Sequence, residues 1–319
     1  MSRLTDKWQE LADREEECSA LIAKYEIYER QLFSTYEPLS IANQNILPRA
    51  FLDRLDMWLK NFSTDEDQWN AFKLVEDIFY LGRNELVELY RVAFEVTVPS
   101  WISQIAGISL LEKNYKERIQ FELERTWFCP ITDSLKISVF RHVNHVEHPS
   151  YFPDWRSLAN FGNAEKIKKY ISESNIKQIV LMEDFVGSGK QISPAVQYAG
   201  QISDVPVLIM PLVIGSSGHA KMSSLVANFP MLSFAPIITL GSDTVITKKI
   251  IEGESPAAKR ARDLTFKYRK ITNDKNPFGF ERNQGYLFIS EANCPNNTLR
   301  LIHATSNWKA LFPRSGRKT

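Results

Sequence analysis

The sequence predicts an α/β protein: a parallel sheet covered by helices, preceded by an α-helical N-terminal region. Three observations carry this expectation. From Thr126 onward, short apolar, β-rich runs alternate with helical segments, the pattern of a parallel sheet with helical crossovers. Before Thr126, apolar residues recur at helical spacing in several successive segments. At 319 residues, 44% of them hydrophobic, the chain has ample material for a core. The expected division is a helical region over 1–125, for packing or partner docking, and an α/β domain over 126–319.

Residues 3–34 read as one long amphipathic helix, with Leu4, Leu11, Cys18, Tyr25 and Leu32 every seven residues and Trp8, Leu21, Ile22 and Tyr28 beside them. Two readings stay open: a helix packed on its own protein, or a coiled coil with a partner or a second copy. Pro38 and Pro48 bracket a polar loop. Residues 49–61 form a second helix, with Phe51, Leu52, Leu55, Trp58 and Leu59 on one side. Ser63 and Glu66 make a capping box that opens a third helix, running to about Tyr80. Gly82 suits a left-handed C-cap, and Asn84 caps a helix to about Phe94. That helix is acidic at Glu85, Glu88 and Glu95, which suits a helical hairpin better than a DNA groove. A further helix spans about 110–125.

Trp127–Ile131 reads as a strand and Thr132–Lys136 as a turn into a helix near 137–144. His142, His145 and His148 are spaced three apart, but no carboxylate or cysteine set accompanies them, so a fraying helix end is the better reading than a metal site. Residues 149–162 are an aromatic, proline-punctuated loop with the composition of a lid. Helix 164–174 follows, then strand 178–182, helix 192–202, strand 205–214, helix 217–229, strand 231–240, helix 256–270 and a last strand at 285–290. The basic stretch 248–275 is either a solvated helix face or a patch for pyrophosphate or a nucleic-acid backbone.

Composition sets outer limits. A net charge of +1 argues against a surface built to coat nucleic acid. Cys18, Cys129 and Cys294 are distant and odd in number, as expected of reduced cytosolic thiols. The first residues have no apolar signal core, and no apolar run is long enough to cross a membrane, so a cytoplasmic protein is expected.

The chemistry concentrates in Gln178–Gln191. Gln178-Ile179-Val180-Leu181-Met182 is a buried strand; Glu183 and Asp184 follow it, then a Gly187-Ser188-Gly189 loop and a helix start at Lys190-Gln191. Glycines turn backbone N–H groups inward, and a new helix aims unpaired N–H groups at an anion. Like charges repel, so the acidic pair faces hydroxyls or a cation beside that anion. A ribose 5-phosphate with Mg²⁺ meets both demands. A P-loop fails on spacing, because Asp184 stands where its first glycine belongs and Gln191 where its Ser or Thr belongs.

This stretch resembles the phosphoribosyl-pyrophosphate signature of type I phosphoribosyltransferases. The resemblance implies that Glu183 and Asp184 hold the ribose hydroxyls and, through them, Mg²⁺, and that Val186, Gly187, Ser188, Gly189, Lys190 and Gln191 wrap the 5′-phosphate. Lys190 stands where a second Gly is usual, and Gln191 where Thr or Ser is usual. By chain order, Thr132–Lys136 takes the place of the pyrophosphate loop, with Ser134 and Lys136 as candidates. The end of the chain, Asn293-Cys294-Pro295-Asn296-Asn297-Thr298-Leu299 and Trp308–Arg314, resembles the closing pattern of divergent phosphoribosyltransferase-like proteins of bacterial conflict and anti-phage loci, including effectors beside retron reverse transcriptases. There Asn296 and Asn297 offer hydrogen-bonding groups and Trp308 a stacking face for a base or ribose.

The resemblance covers roughly residues 65–319. It implies a phosphoribosyltransferase-type fold and chemistry at ribose C1 of phosphoribosyl pyrophosphate or a nucleotide-like substrate. It also implies a defence effector or toxin, with a possible protein or nucleoprotein partner (a reverse transcriptase with its DNA and RNA) at the N-terminal helices. The rival expectations are a nucleotide-binding sensor without turnover and a nucleic-acid-associated subunit.

Overall fold

The computed structural model describes residues 6–36, 48–146, 164–202, 204–272, 275–279, 284–291 and 294–314. Loop 149–162, His148 and Asn293 lie outside these. In chain order the elements are α1 (Asp6–Ala12), α2 (Glu16–Gln31), α3 (Phe51–Leu59), α4 (Asp65–Leu74), β1 (Phe79–Leu81) and α5 (Arg83–Val92). A π-turn (Ala93–Thr97) leads into α6 (Val98–Ile105), then come α7 (Tyr115–Leu123), β2 (Thr126–Pro130), α8 (Ile137–Val143), α9 (Ala164–Glu173) and β3 (Gln178–Val186). The chain continues with α10 (Ser193–Ile202), β4 (Val207–Gly215), α11 (Ser216–Val226), β5 (Leu232–Phe234), β6 (Ile238–Leu240), α12 (Pro256–Tyr268), β7 (Phe288–Ser290) and α13 (Arg300–His303).

The architecture is α/β with parallel strands and helices at the N-terminus. It condenses into two compact units, one of residues 1–83 with 243–319 and the other of 84–242. This division differs from the expected break at 126. Helices α5–α7 belong with the sheet, and the last 77 residues belong with the N-terminal helices.

In the unit of residues 84–242, β2, β3 and β4 lie side by side, and β4 pairs on its far edge with β5 and then β6, all parallel. Each crossover steps the same way along the sheet, so a constant right hand puts their helices on one face. Ile167 and Ile171 of α9, Val196 of α10 and Met222 of α11 accordingly share one core with Ile179, Leu181 and Ile209. On the other face, Phe128 packs against Phe94 and Phe140.

The expected strand 231–240 is two strands, and prolines stand on both sides of the split: Pro236 lies in the gap and, at the register of the flanking pairs, faces Pro211. A parallel-strand residue points its N–H and C=O to the same side. Pro211 accepts from Ile237 N (3.0 Å) on the β5/β6 side, so its missing donor faces that side. The ladder there skips from Ile209↔Phe234 to Val213↔Ile238.

In the other unit, the described residues of the expected helix 3–34 form two helices, α1 and α2, rather than one. The chain breaks at Asp13–Glu15, within a charged run that gains nothing from continuing a buried stripe. Trp8 stacks on Phe72 at 4.5 Å, Tyr25 meets Phe72 edge-on at 4.9 Å, and Cys18, Leu21 and Ile22 are buried with them. The heptad stripe is thus part of this unit's own core. The third helix ends at Leu74, and Thr64, not Ser63, caps it by accepting from Asp67 N (3.2 Å). Phe79–Leu81 is a strand that pairs in parallel with Phe288–Ser290, so the last strand lies outside the main sheet. Gly82 is not left-handed.

Three cations of the basic stretch pair within their own unit, while Lys248, Lys249, Lys259, Arg269, Lys270 and Lys275 are exposed. Arg260 pairs with Asp77 (2.9 Å), Lys267 with Asp67 (2.5 Å), and buried Arg262 with Glu254. No helix among the described residues is long and apolar enough to cross a membrane.

Leu181 sits fully buried in β3, between β2 and β4. Leu181→Ala should lower unfolding free energy by about 2–5 kcal/mol in urea titrations; a loss below about 1 kcal/mol would contradict this packing.

Candidate functional site

β3 is longer than expected: it runs to Val186, so Glu183 and Asp184 lie within its carboxyl-terminal half instead of after it. Glu183 pairs with Pro211 of β4 in register. On the other flank Pro130 pairs with Met182, and Ile131 N donates to Met182 O (2.8 Å), which carries the 131–136 loop alongside the acidic pair.

Side chains alternate along a strand, so consecutive acids begin on opposite faces. One loop nevertheless reaches both. Thr132 donates its backbone N–H to Glu183 Oε2 (3.0 Å) and its hydroxyl to Glu183 Oε1 (2.5 Å). Ser134 Oγ lies 2.9 Å from Glu183 Oε1 and 2.7 Å from Asp184 Oδ1. Thr132 and Ser134 hydroxyls are themselves 2.8 Å apart, and Asp184 Oδ1 also accepts from Phe185 N (2.8 Å).

Glu183 is only 3% exposed. Burial, and next the charge of Asp184, raise its pKa to about 8; burial likewise raises that of Asp184. Proton counting agrees. Four hydroxyl–hydroxyl and hydroxyl–carboxylate contacts of 2.9 Å or less link Thr132, Ser134, Glu183 and Asp184, and two hydroxyl hydrogens serve at most two of them. A carboxyl proton supplies a third.

The loop beyond β3 turns at Gly189, whose φ of +76° is left-handed. Gly189 O accepts from both Ser193 N (3.1 Å) and Ser193 Oγ (2.7 Å), which starts α10. Val186 still pairs with Ile214 of β4, so the chain leaves the sheet at Gly187; among the described residues, the N–H groups of Ser188 and Gly189 give no backbone hydrogen bond. Gly218, in the first turn of α11, backs this loop so closely that a Cβ there would lie 2.4 Å from Gly187 O. Val186 and Gly187 are buried, while Lys190 and Gln191 are exposed.

Of the remaining candidates, Lys136 is exposed at the start of α8. Asn296 and Asn297 belong to the other compact unit. There Asn297 donates to Gln284 O (3.2 Å), and Asn296 accepts from Arg314. Trp308 does not present a stacking face: it is buried against Phe62 and Tyr268, and its Nε1 donates to Leu301 O (2.8 Å). Thr132 is the participant that sequence reading left out of the named candidates. Its signal was its place just past β2, where parallel register sets it against the first acid.

The expected fraying end at His145 is instead an ordered cap: His145 is left-handed (φ +50°), and Val146 N and His145 N donate back to Arg141 O (3.0 Å) and His142 O (3.4 Å). Among the described residues no group of three or more His, Cys, Asp or Glu side chains has metal-holding geometry. Two adjacent carboxylates do suit Mg²⁺, which takes oxygen ligands and commonly shares one or two carboxylates with substrate oxygens and water. A cavity of about 260 Å³, lined by Lys168, Asn175, Lys177 and Asp204 among others, lies by the amino ends of β3 and β4, away from the acids.

The model of the PRTase-CE family matches residues 55–314. The chain belongs to the PRTase-CE family. No curated protein and no solved structure matches it. The PRTase-CE match begins within α3 and takes in all seven described strands, and it gives the chain a phosphoribosyltransferase-like domain.

A raised carboxyl pKa in the folded state means that the native protein binds more protons than the unfolded chain between about 4.5 and about 8. Stability from this group is therefore full at low pH and is lost as pH rises through that window. Glu183→Gln removes the titration. Its stability relative to the parent should rise by about 1–3 kcal/mol from pH 5 to pH 9 in urea titrations; parallel curves would refute a buried, protonated Glu183.

Proposed function

We propose that this protein grips a phosphorylated ribose between Glu183–Asp184 and the Val186–Gln191 loop, and acts at ribose C1 of phosphoribosyl pyrophosphate or a nucleotide-like substrate. The observation that carries the reading is the pairing, at one strand end, of a hydrogen-bonded acidic doublet with a left-handed glycine turn backed closely by Gly218. A diol and a phosphate are what those two halves recognise.

In this reading the Ser188 and Gly189 amides, with the N-terminus of α10, bind the 5′-phosphate. Gly218 sets the depth of that loop. Asp184, half-buried, meets the sugar hydroxyls, and Glu183, clamped by Thr132, fixes the pair. Glu183 and Asp184 would hold Mg²⁺ jointly with the substrate, and bound there it supplies positive charge for the departing pyrophosphate. Lys136, exposed at the start of α8, would meet the leaving group. The departing group leaves an oxocarbenium-like centre, which the adjacent carboxylates stabilise. The supposed biological role is an effector of bacterial anti-phage defence. A reverse transcriptase encoded beside this gene would support a retron setting.

A second reading, a nucleotide sensor without turnover, draws support from Lys190 in a glycine position and from the tight self-bonding of Glu183. Calorimetry with phosphoribosyl pyrophosphate and Mg²⁺, followed by product analysis, separates the two. Asp184→Asn should weaken binding at least tenfold and abolish turnover. Unchanged binding in that variant refutes the assignment, and binding without product over hours selects the sensor. Ligand binding should also release a proton near pH 7, seen as a binding enthalpy that changes with the buffer's ionisation enthalpy.

A further inference from the structure

The 131–136 loop has an anchor and a finger. Thr132 is the anchor, half-buried and bonded to both oxygens of Glu183 through two donors. Ser134 is the finger, exposed at the loop's outer turn, yet its hydroxyl lies within 2.9 Å of Glu183 Oε1 and 2.7 Å of Asp184 Oδ1. One alcohol oxygen bridging two adjacent carboxylates is the contact a sugar hydroxyl would make at the same pair.

We propose that Ser134 fills, in the ligand-free protein, the seat of one ribose hydroxyl, so that the 131–136 loop competes with the sugar for the acidic doublet. The idea rests on the sugar-phosphate reading above and adds a step to it: the finger withdraws as the diol enters. Three features favour an exchangeable plug over a fixed brace. The finger is held by side-chain contacts to the two acids and to Thr132, while its own N–H reaches only Thr132 Oγ1 at 3.3 Å. Its neighbour Asp133 is exposed and brings a third carboxylate toward Asp184, a repulsion that grows once the pair ionises. A diol supplies two hydroxyl hydrogens where Ser134 supplies one, which relieves the shortage of donors at the doublet.

The test uses the full chain and its Ser134→Ala variant. Hydrogen exchange of the peptide covering 131–136 should quicken in free Ser134→Ala, and in the parent when phosphoribosyl pyrophosphate and Mg²⁺ are added. Titration calorimetry should show the variant binding that ligand about three- to tenfold more tightly, because no plug has to leave. Equal exchange in the two free proteins would overturn the proposal. So would equal or weaker binding by the variant, which would make Ser134 inert or a direct ligand contact. Binding by neither protein would instead remove the sugar reading itself, and the seat with it.

Discussion

Glu183 is a carboxylic acid sunk into the end of a parallel sheet, and the geometry of the sheet unit is arranged around keeping it there. Taking such a group from water is costly unless donors replace the lost hydration. The replacement comes from one loop, from Thr132 with Ser134 beside it, brought into position because β2 and β3 run parallel and in register up to Pro130 and Met182. The register is in turn held by full burial of the residues around it, from Trp127 to Cys129 and Ile179 to Met182. Sheet packing, loop position and carboxyl protonation are therefore one linked arrangement.

The glycine turn on the other side of the doublet is fixed by a different force, steric contact. Gly189 takes a backbone conformation that side chains disfavour, and Gly218 brings the first turn of α11 against the carbonyl of Gly187. The close approach of the two turns follows from the absence of two β-carbons. Rigid support on one side of the acids and a side-chain finger on the other give the two halves of the site unequal freedom.

The parts of this arrangement legible in sequence are the local ones. Gln178–Gln191 declared its strand, acids and turn in contiguous residues, and the alternation after Thr126 declared the parallel sheet. What escaped was non-local. Phe79–Leu81 looks like a helix end until its partner more than two hundred residues later is known. Thr132 gained its role from a register across two strands. Trp308 is equally suited by composition to stacking on a base or filling a core, and only the positions of Phe62 and Tyr268 decide for the core. The split of strand 231–240 was legible at Pro236, which stands in the gap, but that Pro211 faces it follows only from the register of β4.

The interleaved order of the two units bears on how the chain comes to be folded as it leaves the ribosome. Residues 84–242 are contiguous and complete their own sheet without later sequence. The helices before them wait for Phe288–Ser290 and for the Leu301 carbonyl that receives both Trp58 and Trp308. During synthesis the phosphoribosyltransferase-like sheet forms while Trp8, Tyr25, Trp58 and Phe72 still lack much of their cover, and a nascent chain stalled before residue 243 carries a finished acidic doublet beside an unfinished aromatic core.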